Sequence, residues 1–164
     1  MAGTKQDSVD FQYHLSMDAR EFIEQAAELL TWGRPRDCRT CISRAYYACY
    51  HVAAEALEKA GYHPLQGPAG HADVANTFTQ NAASPKLAEV GRTLSILHSR
   101  RIVADYLLRR TNVEEPRNAE TCLQYATRVI EALDHFSRPD NIQELRSLVL
   151  AWQEIKRKLG GSHG

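Results

Sequence analysis

The sequence predicts an all-α protein, an antiparallel helical bundle of four main helices plus two accessory helices. Three observations lead there. Apolar residues recur at helical spacing along most of the 164-residue chain. No stretch alternates apolar and polar residues for long enough to make a strand. Gly and Pro gather at separated points and cut the chain into helix-sized segments. The length suits one domain, with a core that needs neither disulfide nor metal.

Residues 1–15 are polar and are expected to form a flexible N-terminus. Ser16 can cap a first helix, whose core stripe is Ala19, Phe22, Ile23, Ala26, Leu29 and Leu30. Gly33 and Pro35 end it. A second helix is expected from about Arg36 to Ala60, stopped by Gly61. Its segment CISRAYYACYHVAAEALEKA is apolar on almost every side up to Glu55, which places it at the centre of the bundle. The stretch GYHPLQGPAG reads as a loop, and HADVANTFTQ as a short third helix. Ser84-Pro85 opens a fourth helix, since Pro suits the first helical position. Its pattern runs to about Arg110, a length of roughly 39 Å. Residues 111–118 are expected to form a loop holding Pro116, with Asn118 as the cap of a fifth helix, AETCLQYATRVIEALDHF. A sixth helix over 141–159 carries Ile142, Leu145, Leu148, Val149, Trp152 and Ile155, and residues 160–164 read as a disordered tail. The expectation is thus one domain over 16–159, with a core over 16–136 and an extra C-terminal helix.

Composition narrows the function classes. Lys+Arg and Asp+Glu balance at 20 each, so no overall field gathers nucleic acid and any RNA contact has to be local. No run approaches the ~20 apolar residues of a membrane span, and the first residues hold no apolar signal core. A cytoplasmic protein with no membrane partner and reduced cysteines is expected. Cys38 and Cys41 form a CxxC, but no second ligand pair follows at zinc spacing and no βαβ unit surrounds them. They read as small helix residues. No metal site and no cofactor are expected, because GxxxxGK[ST], GxSxG and HExxH are all missing.

The stretch SRRIVADYLLRR, residues 99–110, holds the chemistry. On a helical wheel Arg101 falls in the middle of the stripe set by Val90, Leu94, Leu97 and Leu108. Asp105 lies one turn further on, the spacing of an i,i+4 pair. A buried charge is costly unless paired, so an internal Arg101–Asp105 pair with Tyr106 beside it is predicted, and breaking a truly buried pair costs about 3–5 kcal/mol. Arg44, Tyr47 and His51 share a face of the second helix, flanked by Ser43 and Tyr50. If the second and fourth helices pack together, Tyr47 and His51 can bond the pair. Such a network either fixes helix register or does chemistry, with His51 moving protons and Arg101 stabilising phosphoryl charge. Arg92, Arg100, Arg109 and Arg110 fall mostly on the outer sides, a modest RNA-contacting surface at best. His71 reads as a surface or capping residue, and the remaining histidines, His98 among them, have no partner at metal-ligand spacing.

These segments resemble a known family. SRAYYACYHVAAEAL is similar to the second helix of the HEPN superfamily, and RRIVADY to its RxxADY signature, with Arg101, Ala104, Asp105 and Tyr106 in register. Residues 71–83 resemble the family's following short helix, and NAETCLQYATRVIEAL its last core helix. The resemblance covers about residues 16–136. It implies an all-α bundle that dimerises. Many members are metal-independent ribonucleases, among them toxins, CRISPR-associated effectors and defence proteins, and stand-alone members are often paired with a minimal nucleotidyltransferase. In the nucleases an arginine and a histidine separated by four to six intervening residues, from each of two subunits, form a composite site. Here Tyr106 stands at the histidine's place counted from Arg101, Asp105 stands there counted from Arg100, and Leu108 stands at the place of the tyrosine modified in some members. The resemblance therefore implies a dimeric binding module of a toxin–antitoxin or defence system, with a nucleotidyltransferase as partner, RNA as a possible ligand, and Arg44, Tyr47 and Arg100 as binding residues. The alternative it implies is an endoribonuclease centred on Arg101, with Asp105, Tyr106 and His51 in the site.

Overall fold

A helix of 25 residues, Pro35–Lys59 (α2), runs through the middle of the bundle. Pro35 sits in its opening turn, where a missing N–H leaves nothing unpaired. Cys38, Cys41, Ile42, Ala45, Tyr46, Cys49, Ala53 and Leu57 are buried along it, and it touches every other helix. The all-round apolar pattern has the expected consequence, and the two CxxC cysteines are core residues. The helix ends at Ala60, and Gly61 takes the positive φ of 94° that a turn out of the helix requires.

The computed structural model describes residues 17–80 and 84–160. Around α2 stand α1 (Glu21–Trp32), α3 (Pro68–Thr79), α4 (Pro85–Tyr106), a 3₁₀ turn (Thr111–Glu114), α5 (Pro116–Phe136) and α6 (Ile142–Gly160). No strand occurs among the described residues. One core runs through all six helices, and Ile142, Leu145, Leu148 and Val149 bring α6 into it. No helix among the described residues is long and apolar enough to cross a membrane.

Four boundaries differ from the sequence expectation, each for a local reason. The expected cap Ser16, the expected flexible N-terminus and residues 161–164 of the expected tail lie outside the described residues, while Gly160, expected in that tail, is the last residue of α6. Helix α1 starts at Glu21, where the Asp18 N–H donates to Glu21 Oε1 (2.9 Å) and the Asp18 carboxylate accepts from the Arg20 N–H (2.8 Å). Helix α3 begins three residues early because Pro68 opens it. Pro116 likewise sits in the opening turn of α5 rather than in a loop, so Asn118 is no cap, and its side-chain amide donates to the Asn112 carbonyl at 2.6 Å. Helix α4 stops at Tyr106 instead of Arg110.

The guanidinium of Arg39, on α2, causes that stop. Its Nη1 donates to the carbonyls of Val103 (3.3 Å) and Ala104 (2.9 Å), and its Nη2 to those of Leu108 (3.0 Å) and Arg110 (2.8 Å). Nε donates to Glu114 at 2.8 Å. Carbonyls that would otherwise continue or fray the helix are turned onto one buried cation.

Helices α3 and α4 cross closely at Gly91. A methyl group there would meet the Thr79 N at 2.6 Å and the Ala75 carbonyl at 2.7 Å. Backbone atoms of a packed helix cannot yield. Gly91→Ala therefore lowers stability by about 1–3 kcal/mol in urea or thermal unfolding, although alanine is the better helix former by about 1 kcal/mol.

Candidate functional site

The close α3–α4 crossing brings two histidines to Arg101. His98 precedes Arg101 by three residues on α4, so both lie on one face. His71 lies in the first turns of α3 and stacks on His98, ring centroids 5.0 Å apart. With Tyr47, Tyr50, Gly67, Pro68 and Tyr106 they line an open cleft of about 550 Å³. Gly70 keeps its rear wall tight, since a methyl group there would meet the Tyr50 hydroxyl at 2.8 Å and collide with the Leu65 carbonyl.

Arg101 is fixed, not free. Its Nη2 donates to the Tyr47 hydroxyl, and its Nε stands 2.9 Å from Asp105 Oδ2. The guanidinium carbon lies 5.0 Å from the centroid of the Tyr47 ring and 5.2 Å from that of Tyr106. Ser43 Oγ donates to Asp105 at 3.1 Å. The predicted ion pair is present, but at the cleft's rim rather than inside the core: the Arg101 side chain is 12% exposed and that of Asp105 27%. Among the described residues Nη1 has no hydrogen-bonded acceptor, which leaves it for a ligand.

The histidines are poised as neutral rings. Burial lowers the His71 pKa, and the charges of His98, Arg101 and His51 lower it further. Burial and Arg101 lower that of His98. Tyr46, itself buried, has its hydroxyl 2.7 Å from His71 Nδ1. Burial raises the Tyr46 pKa, so the phenol keeps its proton. With the phenol donating, Nδ1 accepts and the ring proton sits on Nε2.

Stability should respond to pH accordingly. Unfolded histidines take up protons near pH 6.5, whereas folded His71 and His98 do so only at lower pH. Between those points the unfolded state holds more protons, so stability is fully present above the unfolded value and is lost as pH falls below it. Melting temperatures should hold from neutral pH upward and drop in the window below about pH 6.5, and a His71→Gln/His98→Gln variant should show a smaller drop. A melting temperature that rises on acidification in this window contradicts the buried-neutral assignment.

The other sequence candidates fall elsewhere. His51 makes no hydrogen bond to the Arg101–Asp105 pair. It packs on Phe22 (6.1 Å between centroids) and lines a neighbouring hollow with Arg20 and Glu55. That hollow is as large, but Arg20 is already bonded to Asp134 and Asp18 and lies 3.8 Å from Glu55. Arg44 lies over the Phe22 ring at 5.3 Å, and its buried Nε has no partner among the described residues. Arg100 faces α5, beside Cys122 and Tyr125. Of the residues singled out in the sequence, Arg101, Tyr106, Tyr47 and the flanking Tyr50 line the cleft, and Asp105 stands behind Arg101 as its ion-pair partner. His71 corrects its reading as a capping residue, and His98 corrects its reading as a histidine without a partner. The i,i+3 spacing of His98 and Arg101 was a usable signal. The approach of His71 was not visible in any spacing.

A family model for the HEPN domain matches residues 12–136 of the chain. No curated protein and no solved structure matches it. The matched span holds the whole cleft and stops at the end of α5, so α6 lies outside it.

Proposed function

The chain belongs to the HEPN family, and from that premise we propose that it is a binding module for single-stranded RNA, with a phosphate held on Arg101 and an unstacked base against the rings of the cleft. One observation carries this: a single guanidinium, fixed between two tyrosines with Nη1 unpaired among the described residues, stands beside two stacked neutral imidazoles in an open cleft. Arginine suits a phosphate because it offers paired N–H donors. Aromatic faces suit any unpaired base. Tyr106, 65% exposed, offers the most accessible of them. Family membership supports the rest of the reading, a homodimer working with a nucleotidyltransferase partner in a toxin–antitoxin or defence system.

Salt dependence tests the mode of binding. The chain has a formal net charge of +0, and the cleft holds one permanent cation. Fluorescence anisotropy with a short oligoribonucleotide should give a slope of log K against log salt near −0.7, the value for about one phosphate contact on a single strand. A slope several times steeper would place binding on a basic outer face such as Arg109–Arg110. No binding at low salt contradicts the reading.

A second reading has one observation in its favour. His71 and His98 supply, in the same cleft as Arg101, imidazoles that the spacing after Arg101 lacks. In a metal-independent cleavage one imidazole takes the proton of the ribose 2′-hydroxyl as its oxygen attacks phosphorus, and a protonated one gives its proton to the departing 5′-oxygen. Both pKa values are lowered, so the acid partner is charged only on the acid side of neutrality. Cleavage in EDTA that peaks below pH 7 and disappears in His98→Gln would favour this reading over binding alone.

A further inference from the structure

We infer that Lys156 on α6 is a positioning residue for the cleft, acting through a clasp with Tyr62 and Asp73. The inference rests on the cleft's proposed role as the ligand site. Asp73 is buried on α3, two residues beyond His71. Its carboxylate accepts from the Tyr62 hydroxyl (2.6 Å to Oδ2), from the Leu65 N–H (3.0 Å) and from Lys156 Nζ (3.1 Å). Lys156 Nζ also donates to the Tyr62 oxygen at 2.7 Å and lies 5.2 Å from the centre of the Tyr62 ring. Among the described residues, Lys156 is the one cation paired with this carboxylate.

The clasp ties together three parts of the chain. Tyr62 and Leu65 belong to the segment that leads into Gly67 and Pro68, the cleft's lip. Asp73 anchors the first half of α3, which carries His71. Lys156 comes from a helix outside the matched family span. A buried carboxylate requires a compensating charge. Without Lys156, Asp73 has to protonate or draw water in. Either change weakens the bonds from Tyr62 and Leu65, since a neutral or hydrated carboxyl is a poorer acceptor than a dry carboxylate, and loosens the first turn of α3 against Arg101. Thus the C-terminal helix, far from the chemistry, sets one wall of the site.

The test uses the full chain and two substitutions. Lys156→Met removes the charge. Tyr62→Phe breaks the clasp from the loop side without altering any charge, so a direct Coulomb effect on His71 cannot mimic it. Ring-resolved NMR titration of the histidines is read first, without RNA. In both variants the His71 midpoint should rise toward the ordinary histidine value as burial is relaxed, while His135 stays unchanged and Lys156→Arg restores the original midpoint. Affinity for the oligoribonucleotide should fall roughly threefold or more in both, the scale expected for a positioning contact, with Lys156→Arg close to the parent. An unaltered His71 midpoint in the folded Tyr62→Phe variant overturns the inference, even if RNA binding is intact. A shifted midpoint in a chain that binds no RNA upholds the clasp and removes the proposed function instead.

Discussion

Arg39→Met lowers the melting temperature by roughly 10 °C and frees the last turn of α4. Arg39 is buried, and all three of its guanidinium nitrogens donate, to four carbonyls and to Glu114. Methionine fills much of the space but supplies no donor. The carbonyls at the end of α4 lose their partner, and Glu114, 25% exposed, loses its counter-charge. Removing one side of a buried charged network costs about 3–5 kcal/mol, and in a domain of this size each kcal/mol moves the midpoint by about 2–4 °C. Glu114→Gln should cost far less, because the amide oxygen still accepts from Nε and the carbonyl bonds stay intact. Equal losses in the two variants would mean that the ion pair, not the gripping of the carbonyls, holds this corner. The corner carries Asp105 and Tyr106, so Arg39→Met should also weaken RNA binding.

Arg101→Ala separates binding from folding. It should weaken oligoribonucleotide affinity about 10- to 100-fold, the worth of a charge-assisted contact to a phosphate. Its stability cost should be only about 1–2 kcal/mol, between the values for exposed and for buried pairs. Asp105 is not stranded in a dry core. It keeps its bond from Ser43 and reaches solvent. The helical wheel alone suggested a full buried-pair penalty, and the rim position of the pair is what reduces it. A large loss of stability with unchanged affinity would make Arg101 a structural residue of the bundle and nothing more.

The bundle was legible where local pattern decides. Helix α2 is apolar on nearly all sides and could only be central. Glycine and proline marked most helix ends. Helix α4 was read too long because its apolar pattern continues to Leu108, whereas its stop is made by a side chain from α2, a tertiary effect that no window around residue 106 contains. Pro116 misled in the opposite way, since a proline in a loop and a proline opening a helix look alike in sequence. Within the site, the Arg101–Asp105 pair and its bond to Tyr47 followed from helical spacing and the packing of α2 on α4. His98 precedes Arg101 by three residues, whereas the family's motif places its histidine after the arginine, so that motif gives His98 no role. His71 depended on the close crossing at Gly91 and on the clasp from α6, long-range features without a local signal. Arg39 and Lys156, the residues that hold the cleft's two ends, carry no local sequence signal that sets them apart from other helix cations.

The most direct measurement of the cleft's role is a histidine-ring NMR titration of the intact protein with a short single-stranded RNA. Binding in the cleft predicts that the His71 and His98 ring signals shift together and saturate, that His135 on the far end of α5 does not move, and that Arg101→Ala abolishes the shifts. Saturating binding that leaves His71 and His98 unmoved, or that shifts them equally in Arg101→Ala, would contradict it.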